Sequence, residues 1–144
     1  MIVLIMGPMF SGKTTELIRQ LERAHIANKR VVLLRPKLDT RPFLSHSTKE
    51  TKWLEEQFVD LSEFNATKYD VIGIDEGQFH KGLKSFCKKY GLTGKKIVVS
   101  ADCPAGRRAA SYWPGPAGCR SARDSPENQP PVGRSFLIFH STQR

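Results

Sequence analysis

An α/β fold with a mainly parallel sheet flanked by helices is predicted by three observations. An apolar run, Ile2 to Met6, leads into the glycine-bearing stretch Gly7-Pro8-Met9-Phe10-Ser11-Gly12-Lys13-Thr14 and then into a segment of helical periodicity. Further short apolar runs, Val31-Val32-Leu33-Leu34, Val71 to Ile74 and Ile97-Val98-Val99, recur between helix-like segments. One of them, Val71 to Ile74, ends in the acidic pair Asp75-Glu76. Apolar runs that are short and not alternating suit strands covered on both faces, and alternation with helices is the mark of an α/β plan.

Taken in order, Ile2 to Met6 is the first buried strand, ending at the glycine-bearing loop. From Thr14 or just before it to about Asn28, apolar residues recur at Leu17, Leu21 and Ala24, with Ile18 widening the stripe. Thr15, Glu16, Arg19, Gln20, Glu22 and Arg23 are mostly left for the wet side, the pattern of a helix laid on a sheet. His25 has no carboxylate or cysteine at ligand spacing and is expected on the surface. Val31 to Leu34 follows as a second strand, and the stretch from Arg35 to His46, with Pro36, Asp39, Arg41 and Pro42, is a loop by composition. Residues from about Thr48 to Phe64 admit two readings: an amphipathic helix through Trp53, Leu54, Gln57, Phe58 and Leu61, or a short strand at Phe58-Val59-Asp60. Trp53 is expected to pack rather than to stack on a base. Val71 to Ile74 is a central strand. From Phe79 a helix-like spacing runs through Leu83, Phe86, Cys87 and Tyr90, closed by Gly91 and Gly94 before the fourth strand at Ile97.

The stretch from Gly7 to Thr14 matches GxxxxGK[ST] in its proper setting, between a strand and a helix, and so reads as a phosphate-binding loop in a P-loop NTPase-like fold. Glycines let successive backbone N–H groups surround an anion, and the helix that follows adds the positive end of its dipole. Lys13 supplies a charge between the β- and γ-phosphates, and the Thr14 hydroxyl suits Mg²⁺. The Val71 to Ile74 strand delivers Asp75 and Glu76 from its carboxyl end. Neighbouring side chains on an extended chain point apart, so Asp75 can serve the metal while Glu76 takes the proton of an attacking hydroxyl. Asp39 and Arg41, in the loop after the second strand, read either as nucleotide- or loop-positioning residues or as a local surface ion pair.

Several function classes are set aside by composition. The chain has 144 residues, enough for one domain with a core. No apolar run approaches a membrane span, and Lys13 interrupts the early apolar region, so neither membrane insertion nor a standard signal peptide is expected. The net charge of +9 invites nucleic acid, but residues 1–101 carry 17 Lys and Arg against 11 Asp and Glu, and residues 102–144 carry 6 against 3, without a dense basic tract. Nucleic-acid binding is therefore not expected. Cys87, Cys103 and Cys119 make no C-x-x-C pair, which fits a reduced, cytoplasmic setting.

The residues GPMFSGKTTELIR at 7–19, Asp39-Thr40-Arg41, and GIDEGQF at 73–79 resemble the thymidine kinases of the cellular, bacterial and poxviral type. The resemblance covers about residues 1–101. It implies transfer of the γ-phosphoryl group of ATP to the 5′-hydroxyl of thymidine or deoxyuridine, with Mg²⁺. Carried over residue by residue, it implies nucleotide binding by Gly7, Pro8, Met9, Phe10, Ser11, Gly12, Lys13, Thr14, Asp39, Arg41, Asp75 and Gln78. It makes Thr14 and Asp75 the magnesium residues, Glu76 the general base, Lys13 its catalytic companion, and Met9 and Phe79 the lining of the thymine pocket. His80 departs from the aromatic often found after Phe79, a change of packing more than of chemistry. Homo-oligomers, or association with full-length family members, follow from the same resemblance.

Residues 102–144 depart from that pattern. All 12 lysines precede residue 97, and six of the nine prolines follow Ala101. Neither paired cysteines nor the lasso that closes over the nucleoside is recognisable, and Cys103 and Cys119, sixteen positions apart, define no zinc site. We read residues 1–101 as a nucleotide-binding domain and 102–144 as a divergent, poorly ordered tail from a frameshift, alternative splicing or another alteration, within which Ser135 to Phe139 could form a short strand. Three function classes follow: a thymidine kinase with impaired activity, a catalytically inactive ATP-binding or subunit-interacting variant, and a generic phosphate-loop NTPase with another acceptor.

Overall fold

The structure is a computed structural model that describes residues 1–8, 11–38, 53–102 and 137–141. Among the described residues the element order is β1 (Ile2–Gly7), α1 (Lys13–Ile26), β2 (Val31–Arg35), β3 (Glu55–Phe58), β4 (Val71–Ile74), α2 (Leu83–Gly91), β5 (Lys96–Asp102) and β6 (Leu137–Ser141). The strands form one sheet in the order β3-β2-β4-β5-β1-β6. Every pairing from β3 to β1 is parallel, and β6 lies antiparallel against β1, with Met6 opposite Leu137 and Ile2 opposite Ser141. The expected α/β plan with a mainly parallel sheet is what the chain adopts.

The core has two layers because β residues alternate in direction. Val3, Ile5, Val31, Leu33, Val71 and Val98 share one apolar cluster with Leu17 and Leu21 of α1. Ile2, Leu4, Val32, Leu34, Ile72, Ile74, Ile97 and Val99 share the other with Phe86, Cys87 and Tyr90 of α2. Strands buried on both faces thus explain the continuous apolar runs. At Gly73 the helix side of the sheet is so close that a Cβ would stand 2.6 Å from Leu21 Cδ1. Glycine here lets α1 settle directly on β4.

Four local expectations are revised. The segment before Phe64 does not carry the helix over its described part: Glu55–Phe58 is a fifth parallel strand, EEQF, where polar side chains are tolerated because, among the described residues, it lies at the sheet edge and pairs on one side only. Glu16, placed on the wet side by periodicity, is buried at 3% exposure and accepts from Arg19 Nε and Nη2 at 2.7 and 2.6 Å and from Gln20 Nε2 at 2.9 Å. The second helix starts only at Leu83. A short 3-10 turn, Gly77–Phe79, precedes it, so Phe79 stands out from the helical stripe that buries Phe86, Cys87 and Tyr90. The strand within 135–139 occurs slightly later, as β6 on the free edge of β1.

His25 lies on the surface and stacks on Trp53, with ring centroids 4.7 Å apart, while Trp53 packs against the α1-side cluster. No helix among the described residues is long and apolar enough to cross a membrane.

Candidate functional site

The chain leaves β1 for α1 and re-enters the sheet at β2, two strands beyond β5, so the carboxyl ends of β1, β5 and β4 meet below the start of α1. Ligands of open α/β sheets gather at such a place. The turn into α1 is made by Gly12, whose φ of 84° lies in the left-handed region that favours glycine. The first N–H groups of a helix have no intrahelical acceptor, and among the described residues no side chain caps them here, so they remain able to meet an anion. Ser11 Oγ is buried and has no hydrogen-bond partner among the described residues. A buried hydroxyl left in that condition carries a desolvation cost that a phosphate oxygen would relieve.

Lys13, the first residue of α1, bends back over the loop. Its Nζ donates to the Pro8 carbonyl at 2.7 Å and lies 2.8 Å from Asp102 Oδ1 at the end of β5. Thr14 Oγ1 donates to Asp75 Oδ1 at 3.2 Å, which joins the helix start to the end of β4. Asp75 is 5% exposed, and its Oδ1 also accepts from Ser100 Oγ at 2.5 Å. His80 is buried behind it, with Nε2 3.2 Å from the Asp75 carbonyl oxygen, and burial lowers the imidazole below its ordinary value. A hydroxyl and a carboxylate 3.2 Å apart beside an uncapped helix start are hard oxygen donors of the kind Mg²⁺ takes when phosphates and water complete its shell. Among the described residues there is no cluster of three or more His, Cys, Asp or Glu that would hold a metal by protein ligands alone. The residues present therefore fit a magnesium–nucleotide complex.

Glu76 differs from its neighbour in burial and in backbone. Asp75 continues inward from the strand, whereas Glu76 is a non-glycine residue with φ 53° and ψ 48°. The two carboxylates do diverge, but through a left-handed turn rather than through the alternation of an extended chain. A residue held in that region costs on the order of 1–2 kcal/mol, and such outliers gather at functional sites. Gln78 steadies the turn: its Nε2 donates to Glu76 Oε2 at 2.6 Å and to Asp102 Oδ2 at 3.2 Å, and its Oε1 accepts from the Asp102 N–H at 3.1 Å. Phe79 is 66% exposed.

The structure thus gathers Gly7, Pro8, Ser11, Gly12, Lys13, Thr14, Asp75, Glu76 and Gln78 at one end of the sheet, with Phe79 beside them in the chain. Met9, Phe10, Asp39 and Arg41 lie outside the described residues, as do Cys103 and Cys119, on which the zinc expectation rests. Cys87 is buried in the core, and burial pushes its thiol up to about 12, which suits a packing role. Ser100 and Asp102 were missed by sequence reasoning. The one signal available was their position at the end of an apolar strand, two residues apart and so on one face of it.

The family model described as "Thymidine kinase" matches residues 1–103. Thymidine kinase 1 of Dictyostelium discoideum is 39% identical over 108 residues, which are 69% of this chain and 48% of that protein. The thymidine kinases of vaccinia virus (strain Western Reserve) and monkeypox virus are each 40% identical over 104 residues, 69% of this chain and 58% of theirs. The chain therefore spans about half the length of the curated relatives it matches. With the loop, the acidic strand end and the parallel sheet all falling inside the matched residues, this chain belongs to the thymidine kinase family.

Proposed function

We propose that the chain is an ATP-dependent thymidine kinase of reduced activity. The observation that carries the reading is the junction of Thr14 with Asp75 beside Lys13, because it puts a phosphate-loop lysine, a hydroxyl and a strand-end carboxylate around one point. Lys13 and the N–H groups at the start of α1 bind and orient the triphosphate, Met9, Phe10, Asp39 and Arg41 add to that hold, and Ser11 donates to a phosphate oxygen. Thr14 and Asp75 would hold Mg²⁺, which would supply neutralisation of the triphosphate charge. Glu76 accepts the proton of the thymidine or deoxyuridine 5′-hydroxyl, the freed oxygen bonds to the γ-phosphorus, and the bond to the β-phosphate oxygen breaks with its electron pair leaving on ADP. Gln78 orients Glu76, while Met9 and Phe79 take the base.

Residues 1–101 form the nucleotide-binding domain in this reading and 102–144 a divergent tail. The setting is cytoplasmic, with no membrane or nucleic-acid partner, and assembly is with copies of itself or with full-length family members. A second reading, an ATP-binding or subunit-interacting variant without turnover, is favoured by the 66% exposure of Phe79, since a base pocket needs its aromatic covered.

The test is thymidine-dependent transfer of labelled γ-phosphate from ATP by the full chain, with Lys13→Ala and Glu76→Gln as controls. The expected result is slow transfer that both substitutions abolish, with ATP binding weakened, though still measurable, only in Lys13→Ala. Binding without any transfer would select the second reading, and absence of both would refute the nucleotide site.

A further inference from the structure

The ion pair at the mouth of the loop involves a residue to which neither the motif nor the mechanism above gives a part. Asp102 ends β5, in register with Gly7 at the end of β1, so it stands beside the first residue of the loop. Its two carboxylate oxygens do different things. Oδ1 takes Lys13 Nζ at 2.8 Å, and Oδ2 takes Gln78 Nε2 at 3.2 Å. The same Gln78 accepts from the Asp102 backbone N–H at 3.1 Å, which fixes the amide so that its NH₂ faces both Asp102 and Glu76. Asp102 is therefore held from its backbone and from its side chain, and it keeps Lys13, whose side chain is only 10% exposed, drawn toward the loop.

We infer that Asp102 is a placeholder for phosphate: it occupies Lys13 until a nucleotide arrives, and it makes the site select the magnesium complex over the metal-free nucleotide. The inference rests on the nucleotide-site reading above. Asp102 pairs with Lys13 directly, Gln78 links Asp102 to Glu76, and Asp75 is bound by Thr14, the residue after Lys13, so three carboxylates gather at the single lysine of the loop. A metal-free triphosphate must displace the Asp102 carboxylate from Lys13 and then sit beside that carboxylate, both of which are unfavourable. A magnesium-bound triphosphate carries less negative charge, and its metal gives the displaced carboxylate, directly or through water, a cation to face. Period-2 geometry on β5 supports a shared purpose, because Ser100 braces Asp75 while Asp102, two residues on, braces Lys13.

The experiment measures dissociation constants of the full chain for ATP, with Mg²⁺ and with EDTA, in the wild type, Asp102→Asn, Asp102→Ser, Lys13→Ala and Lys13→Ala/Asp102→Asn, with far-UV circular dichroism to establish folding. Removing the charge should tighten metal-free ATP about fivefold, the scale of a partly exposed ion pair, and should change binding of the magnesium complex by less than about twofold. The gain should fall below about twofold in the Lys13→Ala background, because the pair is already broken there. Unchanged or weaker metal-free binding in both Asp102 variants, or an equal gain with and without Lys13, would overturn the placeholder while leaving the nucleotide site standing. No ATP binding by the wild type in either condition would overturn both.

Discussion

Replacing Gly73 by alanine tests how the site is held together. The new Cβ would lie 2.6, 3.2 and 3.3 Å from Cδ1, Cδ2 and Cγ of Leu21. Leu21 is fully buried among Val3, Val71 and Val98, so it cannot swing away without disturbing a filled layer. Relief must come from an off-rotamer leucine or from α1 lifting off β4, and overpacking of this kind costs about 1–3 kcal/mol. With a urea slope on the order of 2 kcal/mol per molar, the midpoint should fall by roughly 0.5–1.5 M. Leu21→Ala alone opens a cavity and should cost about 2–5 kcal/mol. The double variant, in which the methyl fills part of that space, should be less destabilised than the sum by about 1–3 kcal/mol. Because α1 begins at Lys13 and Thr14 and β4 ends at Asp75, any lift of the helix also lengthens the Thr14–Asp75 contact, so Gly73→Ala should weaken magnesium-dependent ATP binding as well. Equilibrium urea unfolding of the four proteins decides the matter. A neutral Gly73→Ala, or a strictly additive double variant, would refute the close packing on which the site's alignment depends.

Two other perturbations reach the site and the margin of the fold. Ser100→Ala removes a buried hydroxyl that donates to Asp75, and a hydrogen bond to a charged group is worth about 1.5–3 kcal/mol, so the variant should lose that much stability and need more Mg²⁺ to half-saturate ATP binding; an unchanged magnesium titration would show that Asp75 needs no brace. Asp70 is held at about 2, first by the Arg30 guanidinium and then by the Arg30 backbone N–H. Its folded value lies below the ordinary 3.8, so its contribution is present above that value and is lost as pH falls toward about 2. Asp70→Asn should therefore flatten the fall of the urea midpoint between pH 5 and 2, by a small amount because the pair is exposed, and an unaltered slope would count against it.

What could be read from the chain, and what could not, divides by the range of the interactions. The phosphate-loop motif was legible because its eight residues are contiguous and its context is local. Val31 to Leu34, Val71 to Ile74 and Ile97 to Val99 were legible because strands covered on both faces must be apolar throughout. Glu55–Phe58 was hidden for the opposite reason: at an edge, a polar strand is stable through its parallel pairing with β2, which no local pattern records. Glu16 was misplaced because periodicity ranks carboxylates as wet and cannot foresee that Arg19 and Gln20 will fold over one. Phe79 fitted the helical spacing, yet Glu76 takes a left-handed conformation and starts a 3-10 turn there, so the helix begins one turn later. Ser100 and Asp102 act on partners 25 and 89 residues away in the chain. Only the assembled sheet brings them together.

In the proposed mechanism the two halves of the transfer are built differently, and one ratio of products separates slow transfer from binding without turnover. On the proposed donor side the carboxylates have fixed neighbours: Asp75 with Thr14 and Ser100, and Glu76 with Gln78. Pre-positioned groups of that kind lower a barrier because they need not reorganise during the reaction. On the acceptor side Phe79 is 66% exposed, so a base stacked on it would still meet water on its flank. Water admitted to the acceptor position would compete with the 5′-hydroxyl for the same phosphorus, and Glu76, as the proposed base, would take a proton from either. The ratio of phosphate released to nucleoside phosphorylated therefore reports how far the acceptor side is enclosed, independently of how well the donor side binds ATP. A high ratio with intact ATP affinity locates the loss of activity at Phe79 and its surroundings, whereas a low ratio at a low rate would locate it among the donor groups that the sheet holds in place.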